Sequence, residues 1–514
     1  MLLPGRVSLV ISSARVRVPS ALLASIALAL LLAAWVVATP PFGGPDEASH
    51  YLRTLSLANG TLVGPRVPFR NPTNTPQQQA WTDRDSRGVS VPARMSPGDE
   101  VCLNGKPDVG GTCTEASYNG DYQPLPYLLP ALALKVSGDV STGQWLARGA
   151  SAAAAGVFLI LAFALAQPGG GWSLLGLLIA ITPMVLFVGS VLNPNGLEIS
   201  ANLALLAGLM ALSRDPLAMS RWRLAAIALS AVVVVLSWQL GPVFVAVDLA
   251  LTLMLMPRAQ LATLVSSRRR EVIVYGGVLG ASLALYLIYA SAAGLLHSGL
   301  RLHPIWWSLQ HGLDQLNPVV HDGVGVFGAL TVRLPGPVYW IWWIVTLALC
   351  ISALVLTDRR GRVAIMITAL TVFAFPVLFW AFIYRQSGFG LQGRYVLPVL
   401  TIAPLLAGEL IGRTGATIGG VMGRSLIGGT VGLLVALQLV AWWVSARVAA
   451  GRAGSIWFQS QTSWRPPLGW WLWTGCALAG AAALLIAAII ESGSNSRRGW
   501  SPDVGASIGS LLNR

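Results

Sequence analysis

Charge is scarce in this chain. Only 11% of its 514 residues are Asp, Glu, Lys or Arg, against 54% apolar ones, and mean hydropathy is +0.66. A soluble domain of this length could not cover its surface with so few charges, so the composition describes a polytopic membrane protein. Lysine is nearly missing: all but Lys106 and Lys135 of the 34 basic residues are Arg. In a soluble chain a net charge of +14 would suggest nucleic acid. Here the arginines sit in short runs between apolar segments, as in SSRRRE (266–271) and TDRRGR (357–362), so the partner is the bilayer and no nucleic acid is expected. Also missing are a Walker A loop, HExxH, GxSxG and a Rossmann fingerprint.

Apolar runs of about 20 residues fall near 21–39, 143–166, 172–192, 196–213, 224–240, 243–256, 272–292, 337–356, 363–383, 395–412, 425–446 and 470–490. The expected fold is therefore an all-α polytopic transmembrane bundle of about twelve spans. The first run is too long for a usual cleaved signal and lacks a small-x-small cleavage site, so it is taken as a retained helix. With Arg6, Arg15 and Arg17 in the cytoplasm, RDPLAMSRWR, PRAQLATLVSSRRRE, TDRRGR and the Arg413–Arg424 joint all fall inside. The expected division is a cytoplasmic N-terminus (1–20), a transmembrane domain (21–490) and a disordered cytoplasmic tail (491–514).

Outside lie long loops at 40–142 and 293–336, with joints at 193–195, 384–394 and 447–469. All five histidines come out on that face. The first loop carries Cys102 and Cys113, where an oxidising compartment permits a disulfide; Cys350 and Cys476 are expected to be packing residues. Residues 64–121, rich in Pro, Gly, Asn and Asp, show no sustained period and are expected to be irregular. DYQPLPYLLPALALK (121–135) is too short and too proline-rich to cross; it is expected to dip into the outer leaflet or to line a cavity from Tyr122 to Tyr127. PIWWSLQHGLDQL (304–316) has the spacing of an interfacial helix that begins at Pro304, and WW or WxW clusters at span ends form an aromatic belt.

The polar residues that resist a packing explanation gather at the outer face. GPDEASHYLR (44–53) puts Pro45 at a first helical position with Asp46 and Glu47 behind it, which by itself describes a good helix start. Asp46, His50 and Arg53 also fall at i, i+4 and i+7 on one face, and a carboxylate oriented by His and Arg can act as a general base or hold a metal ion. In GSVLNPNGLEIS (189–200) the turn accounts for Asn193 to Gly196, but Glu198 lies inside an apolar span, where an ionisable group is costly without a partner. In YRQSGFGLQGRYVLP (384–398), Arg385 and Arg394 flank a glycine-rich turn, either as a phosphate clamp or as arginines snorkelling to headgroups. Asp248, isolated in VFVAVDLALTL, is assigned no chemistry.

PPFGGPDEASHYLR, YxPLxY, SVLNPNGLE and LQGRYVLP together resemble a bacterial domain-of-unknown-function family of polytopic membrane proteins similar to the GT-C glycosyltransferases, over about residues 20–490. The resemblance implies a sugar moved with inversion from a polyprenyl-phosphate donor to an envelope glycan or lipid acceptor, outside the bacterial inner membrane, with both termini cytoplasmic. It places the catalytic acid at Asp46, with Glu47 the neighbouring candidate and His50 and Arg53 fixing the carboxylate. Substrate-binding candidates are Tyr122, Tyr127, Asn193, Glu198, Arg385, Gln392, Arg394 and Tyr395. A divalent cation, Mg or Mn, could bridge Asp46 and the phosphate, though no ligand set demands one. The turn reads NPNG where relatives are expected to carry an acid after Asn-Pro, which counts against Asn195 as a ligand. The rivals are a transporter or flippase for lipid-linked glycans, which should show paired midplane charges in two related halves, and a non-catalytic assembly protein.

Overall fold

The computed structural model describes residues 20–498 except 70, 98–111, 296–302, 415–419, 453–454 and 461. Arg6, Arg15, Arg17, Cys102 and the tail beyond Arg498 lie outside the described residues. Helix α1 (Ser20–Val36), uncharged throughout, leads by a turn into α2 (Glu47–Ala58). The stretch expected to be irregular is partly ordered. Thr75 accepts from the Gln78 N–H and the Gln78 side chain returns to the Thr75 N–H, which with Pro76 starts α3 (Pro76–Asp85). Strand β1 (Arg87–Pro92) then pairs antiparallel with β2 (Thr112–Ser117), Arg87 opposite Ser117 and Pro92 opposite Thr112. Cys113 on β2 is disulfide-bonded, and Cys350 and Cys476 are free.

Helix α4 (Leu125–Leu134) buries Tyr127, Pro130 and Leu134 and exposes Leu128, Leu129 and Leu132. Asp139 caps α5 (Val140–Ala166), followed by α6 (Gly170–Ala180) and α7 (Pro183–Ser190), which begins where Thr182 accepts from the Val185 N–H. Then come α8 (Pro194–Arg214), α9 (Arg221–Ser237), α10 (Gly241–Leu255), α11 (Arg258–Ser267) and α12 (Arg269–Ala293). The second long loop holds α13 (Ile305–Asp314), capped by Pro304 rather than started by it, α14 (Leu316–Val324) and a hairpin of β3 (Val326–Phe327) and β4 (Val332–Arg333). The chain ends in α15 (Gly336–Leu356), α16 (Arg359–Ser387), α17 (Gly393–Leu400), α18 (Ile402–Arg413), α19 (Gly420–Ala449) and α20 (Gly469–Arg498), so the expected disordered tail is helical as far as Arg498.

This is a multi-pass membrane protein, but the count of twelve spans is not recovered. Among the described residues eight helices are long and apolar enough to cross, or nine if α10 and α11, bent by 111°, form one span. The 172–192 run is broken at Thr182-Pro183, and the helices at 224–240 and 243–256 are 17 and 15 residues long. Central α8 has 94% of its most apolar stretch buried inside the protein, against 11% for α12, which faces outward. It packs against α5, α9 and α10, while α1 lies on α20 and α5. At the C-terminal end of α8, buried Glu409 binds Arg214, Arg413 and Ser173, tying α8, α18 and α6 together. At 1.5 Å per residue this lies about 30 Å from the N-terminal end of α8, where the candidate residues meet.

Candidate active site

The α1–α2 turn sets the geometry. Pro45 is not the first helical residue: Asp46 is the N-cap of α2, in the left-handed region at φ 56°, and the helix starts at Glu47. That kink turns Asp46 and Glu47 to different partners. Both Glu47 oxygens accept from Arg148 of α5, and they also take the Leu192 and Gly44 N–H groups at 3.0 Å each. Arg148 donates in addition to the carbonyls of Val36, Thr39 and Pro40. Glu47 is fully enclosed, so its part is to join α1, α2, α5 and the Leu192 turn, and it is not placed to act as a base.

Arg53 does not reach Asp46 either. The i, i+7 face is lost because Asp46 is not helical, and Arg53 donates to the carbonyls of Leu62 and Tyr122 and to the Tyr289 hydroxyl. It straps the first loop to α12.

His50 is buried among donors. A backbone N–H can only donate, so the Asn193 atom facing the Asn195 N–H at 3.0 Å must be Oδ1, and Nδ2 then points at His50 Nε2, 3.2 Å away. Nε2 therefore faces a donor, while Nδ1 lies 2.8 Å from the Tyr127 hydroxyl and 3.3 Å from the Asn119 amide nitrogen. Burial pushes the imidazole pKa down to about 3, with Arg394 adding to the fall and Asp46 opposing it. His50 is thus a neutral strut between α2, α4 and the Asn193 turn; its backbone N–H donates to the Asp46 carbonyl at 3.0 Å, and its ring makes no hydrogen bond to the Asp46 carboxylate.

Asp46 instead meets Arg394. Gly393 starts α17 so close to α14 that an added Cβ would lie 2.5 Å from the Asp322 carbonyl carbon, and this approach delivers Arg394 into the interior. Its Nη2 donates to Asp46 Oδ2 and, at 3.0 Å, to the Tyr395 hydroxyl; Tyr118 donates to Asp46 Oδ1 at 3.1 Å. The Arg394 side chain is 1% exposed and that of Asp46 is 31% exposed, so the carboxylate opens toward solvent with the guanidinium behind it. Burial would raise the Asp46 pKa, but the charge of Arg394, with His50 and the hydrogen bonds from Arg394 and Tyr118, outweighs it and holds the carboxyl below its usual value. Arg394 Nε and Nη1 are enclosed and have no acceptor. A cation in the first turn of a helix faces the positive end of the helix dipole and is short of negative charge.

The family described as "Predicted membrane protein (DUF2142)" matches residues 28–403. The chain belongs to that family. No curated protein matches this DUF2142 protein in sequence. Among solved structures it is similar to ArnT from Cupriavidus metallidurans in the apo state, at 14% identity and a TM-score of 0.45, over 91% of this chain and 75% of ArnT. For ArnT bound to undecaprenyl phosphate the values are 13%, 0.43, 92% and 75%.

Other candidates of this DUF2142 protein fall at varying remove. Tyr122 and Tyr395 stand half-buried around Asp46, and Tyr395 stacks on Trp238 at 4.9 Å. Gln392 caps the start of α17, its Oε1 enclosed without a donor. Glu198 is buried just past the first turn of α8, one oxygen taking the Asn195 amide at 2.9 Å and the other without a partner. Gly196 allows this turn to form, since a Cβ there would sit 2.5 Å from the Val188 carbonyl oxygen. Arg385 donates to the His303 carbonyl at 2.8 Å and so anchors α16 to the second loop rather than joining the Asp46 cluster. Among the described residues no group of three or more His, Cys, Asp or Glu could hold a metal ion, and no step below is routed through one.

Tyr118 and Arg148 escaped the sequence reading. Arg148 had a usable signal, an arginine inside the apolar run at 143–166; Tyr118 had none.

Beside the site, Asp121 pairs loosely with Arg87 at 3.5 Å, and its Oδ1 has no partner. Burial, then the charge of Asp85, push its pKa up to about 8 against the pull of Arg87. Between about pH 4, where the unfolded carboxyl titrates, and about 8 the folded protein keeps a proton that the unfolded chain releases. Stability is therefore expected to fall as pH rises through that window, by about 1.4 kcal/mol per pH unit. Asp121→Asn should flatten this slope and raise the unfolding midpoint at pH 8; a slope identical in the variant would assign it to another group.

Proposed function

We propose that this protein is an inverting glycosyltransferase that moves a sugar from a polyprenyl-phosphate donor to a cell-envelope glycan or lipid acceptor at the extracytoplasmic face of the bacterial inner membrane. The pairing of solvent-open Asp46 with enclosed Arg394 carries this reading. It sets an ionised carboxylate beside a guanidinium that still has unfilled donors, which suits proton abstraction next to a departing phosphate. The motif resemblance to GT-C enzymes supports the same assignment. An enzyme on the outer side has no cytosolic nucleotides, so its activated sugar must arrive on a lipid.

The acceptor hydroxyl oxygen bonds to the anomeric carbon from the side opposite the phosphate, and the carbon–oxygen bond to the phosphate breaks. Its electron pair stays on the phosphate, where Arg394 stabilises the new charge, and Asp46 takes the acceptor's proton. Tyr118 and Arg394 orient Asp46, and His50, Asn193 and Tyr127 hold the turn that presents it.

In nanodiscs, the purified protein should convert a polyprenyl-phosphate sugar and a hydroxyl acceptor into polyprenyl phosphate and a product of inverted configuration. Retained configuration, or no product together with no binding of polyprenyl phosphate, would sink the assignment. Arg394→Ala should weaken donor binding about 10- to 100-fold, since hydrogen bonds to a charged group contribute about 1.5–3 kcal/mol. Unchanged affinity would reduce Arg394 to an anchor.

A further inference from the structure

Arg394 serves two masters at one atom. Its Nη2 reaches both Asp46 Oδ2 and the Tyr395 hydroxyl, while Nε and Nη1 have no acceptor. The pairing with Asp46 is monodentate, so the guanidinium is only partly used and its remaining N–H groups can take phosphate oxygens. We propose that Arg394 is exchanged between Asp46 and a lipid-borne phosphate, so that occupation of the phosphate position is what makes Asp46 basic. This rests on the donor reading above and adds an order to it: donor first, proton abstraction second.

The charges balance through the step. Before transfer Asp46 is an anion, Arg394 a cation and the donor a phosphodiester monoanion. Afterwards Asp46 holds the acceptor's proton and the phosphate monoester carries a second negative charge. One negative charge has moved from Asp46 to phosphate across a guanidinium that keeps its own. Release of the lipid phosphate returns Arg394 to Asp46, and the proton leaves through the open side of Asp46, whose side chain is 31% exposed.

The other ionisable groups facing Asp46 are His50 from α2, Tyr118 and Tyr122 from the segment after β2, Tyr127 from α4, and Arg394 and Tyr395 from α17. Burial pushes His50 down to about 3 and the phenols of Tyr118, Tyr122 and Tyr127 up, so these groups do not change charge between pH 5 and 8. Asp121 beside the site, pushed up to about 8, does change charge in this range, so a proton taken up with the phosphate is assigned to Asp46 by the difference between the wild type and Asp46→Asn.

Linkage is reciprocal: if phosphate binding favours protonation of Asp46, neutralising Asp46 must favour phosphate binding. The probe is a short-chain polyprenyl phosphate titrated calorimetrically into nanodisc-embedded protein, in buffers of different ionisation enthalpy, from pH 8 to pH 5.5. The wild type should take up a proton on binding. Asp46→Asn should bind about fivefold tighter or more at pH 8 and take up correspondingly less proton. Equal or weaker binding by Asp46→Asn, or a wild type that binds without net proton uptake, overturns the exchange while the donor reading stands. A wild type that does not bind the probe removes both. The wild-type proton count needs no variant, so the proposal stays testable should Asp46→Asn misfold.

Discussion

Protein carrying Arg148→Ala is expected to lose about 3–5 kcal/mol of stability, the usual result of removing one partner from a buried ion pair. Glu47 and Arg148 are both 0% exposed, so neither can turn to water when the other is removed. The substitution would leave Glu47 charged in an enclosed site with only two backbone N–H groups, and the carbonyls of Val36, Thr39 and Pro40 would each lose the Arg148 donor, Pro40 keeping the Gly43 N–H. Those carbonyls end α1 and form the turn that presents Asp46, so the site should loosen with the fold. Glu47→Gln in the same background removes the stranded charge and should recover part of the loss. Unfolding in detergent, followed by tryptophan fluorescence, gives the measurement. A midpoint matching the wild type would show that the pair contributes nothing to stability, and recovery absent from the double variant would place the damage in the carbonyls rather than in the charge.

The apolar runs were legible because a bilayer imposes a length and a composition on whatever crosses it, and each of the twelve lies on one helix or a broken pair. Their breaks were less visible. Thr182-Pro183 reads as an ordinary cap followed by proline, yet it falls inside a run of apolar residues and divides it. The small sheet of the first loop was beyond local reading, since β1 pairs with residues 20 to 30 positions further along the chain, and no repeat in RGVSVP or TCTEAS announces it.

At the site, residue types were legible and pairings were not. The motif GPDEASHYLR suggested one helical face, and a single left-handed φ at Asp46 redistributes it: Asp46 to α17, Glu47 to α5, His50 to α4 and the Asn193 turn, Arg53 to the first loop. A helix-face argument assumes helical φ at every position, and it fails at an N-cap. Arg385 and Arg394 looked equivalent around their glycine-rich turn. They differ because α16 ends at Ser387 and α17 starts at Gly393, so one faces the second loop and the other the bundle.

Asp46→Asn is expected to reduce transfer by about 10²–10⁴-fold, the usual contribution of a general base, with the fold retained. The amide keeps an oxygen for the Tyr118 hydroxyl, and Asn is among the few residues that adopt the left-handed backbone required at φ 56°. What it loses is the charge opposite Arg394 and the capacity to take a proton. The effect should therefore fall on kcat, while the affinity for lipid phosphate rises because a competing anion is gone. Asp46→Ala is a harsher control, since it removes the hydrogen bonds and places a residue with no polar group in a strained conformation; it should lose stability as well as rate. The decisive comparison is the kcat of Asp46→Asn against the wild type in the same nanodiscs, with the unfolding midpoint measured on the same samples. Turnover within threefold of the wild type would remove Asp46 from the chemistry. A fall in rate matched by a fall in the midpoint would mean that the carboxylate acts through the fold, as Glu47 does one residue later.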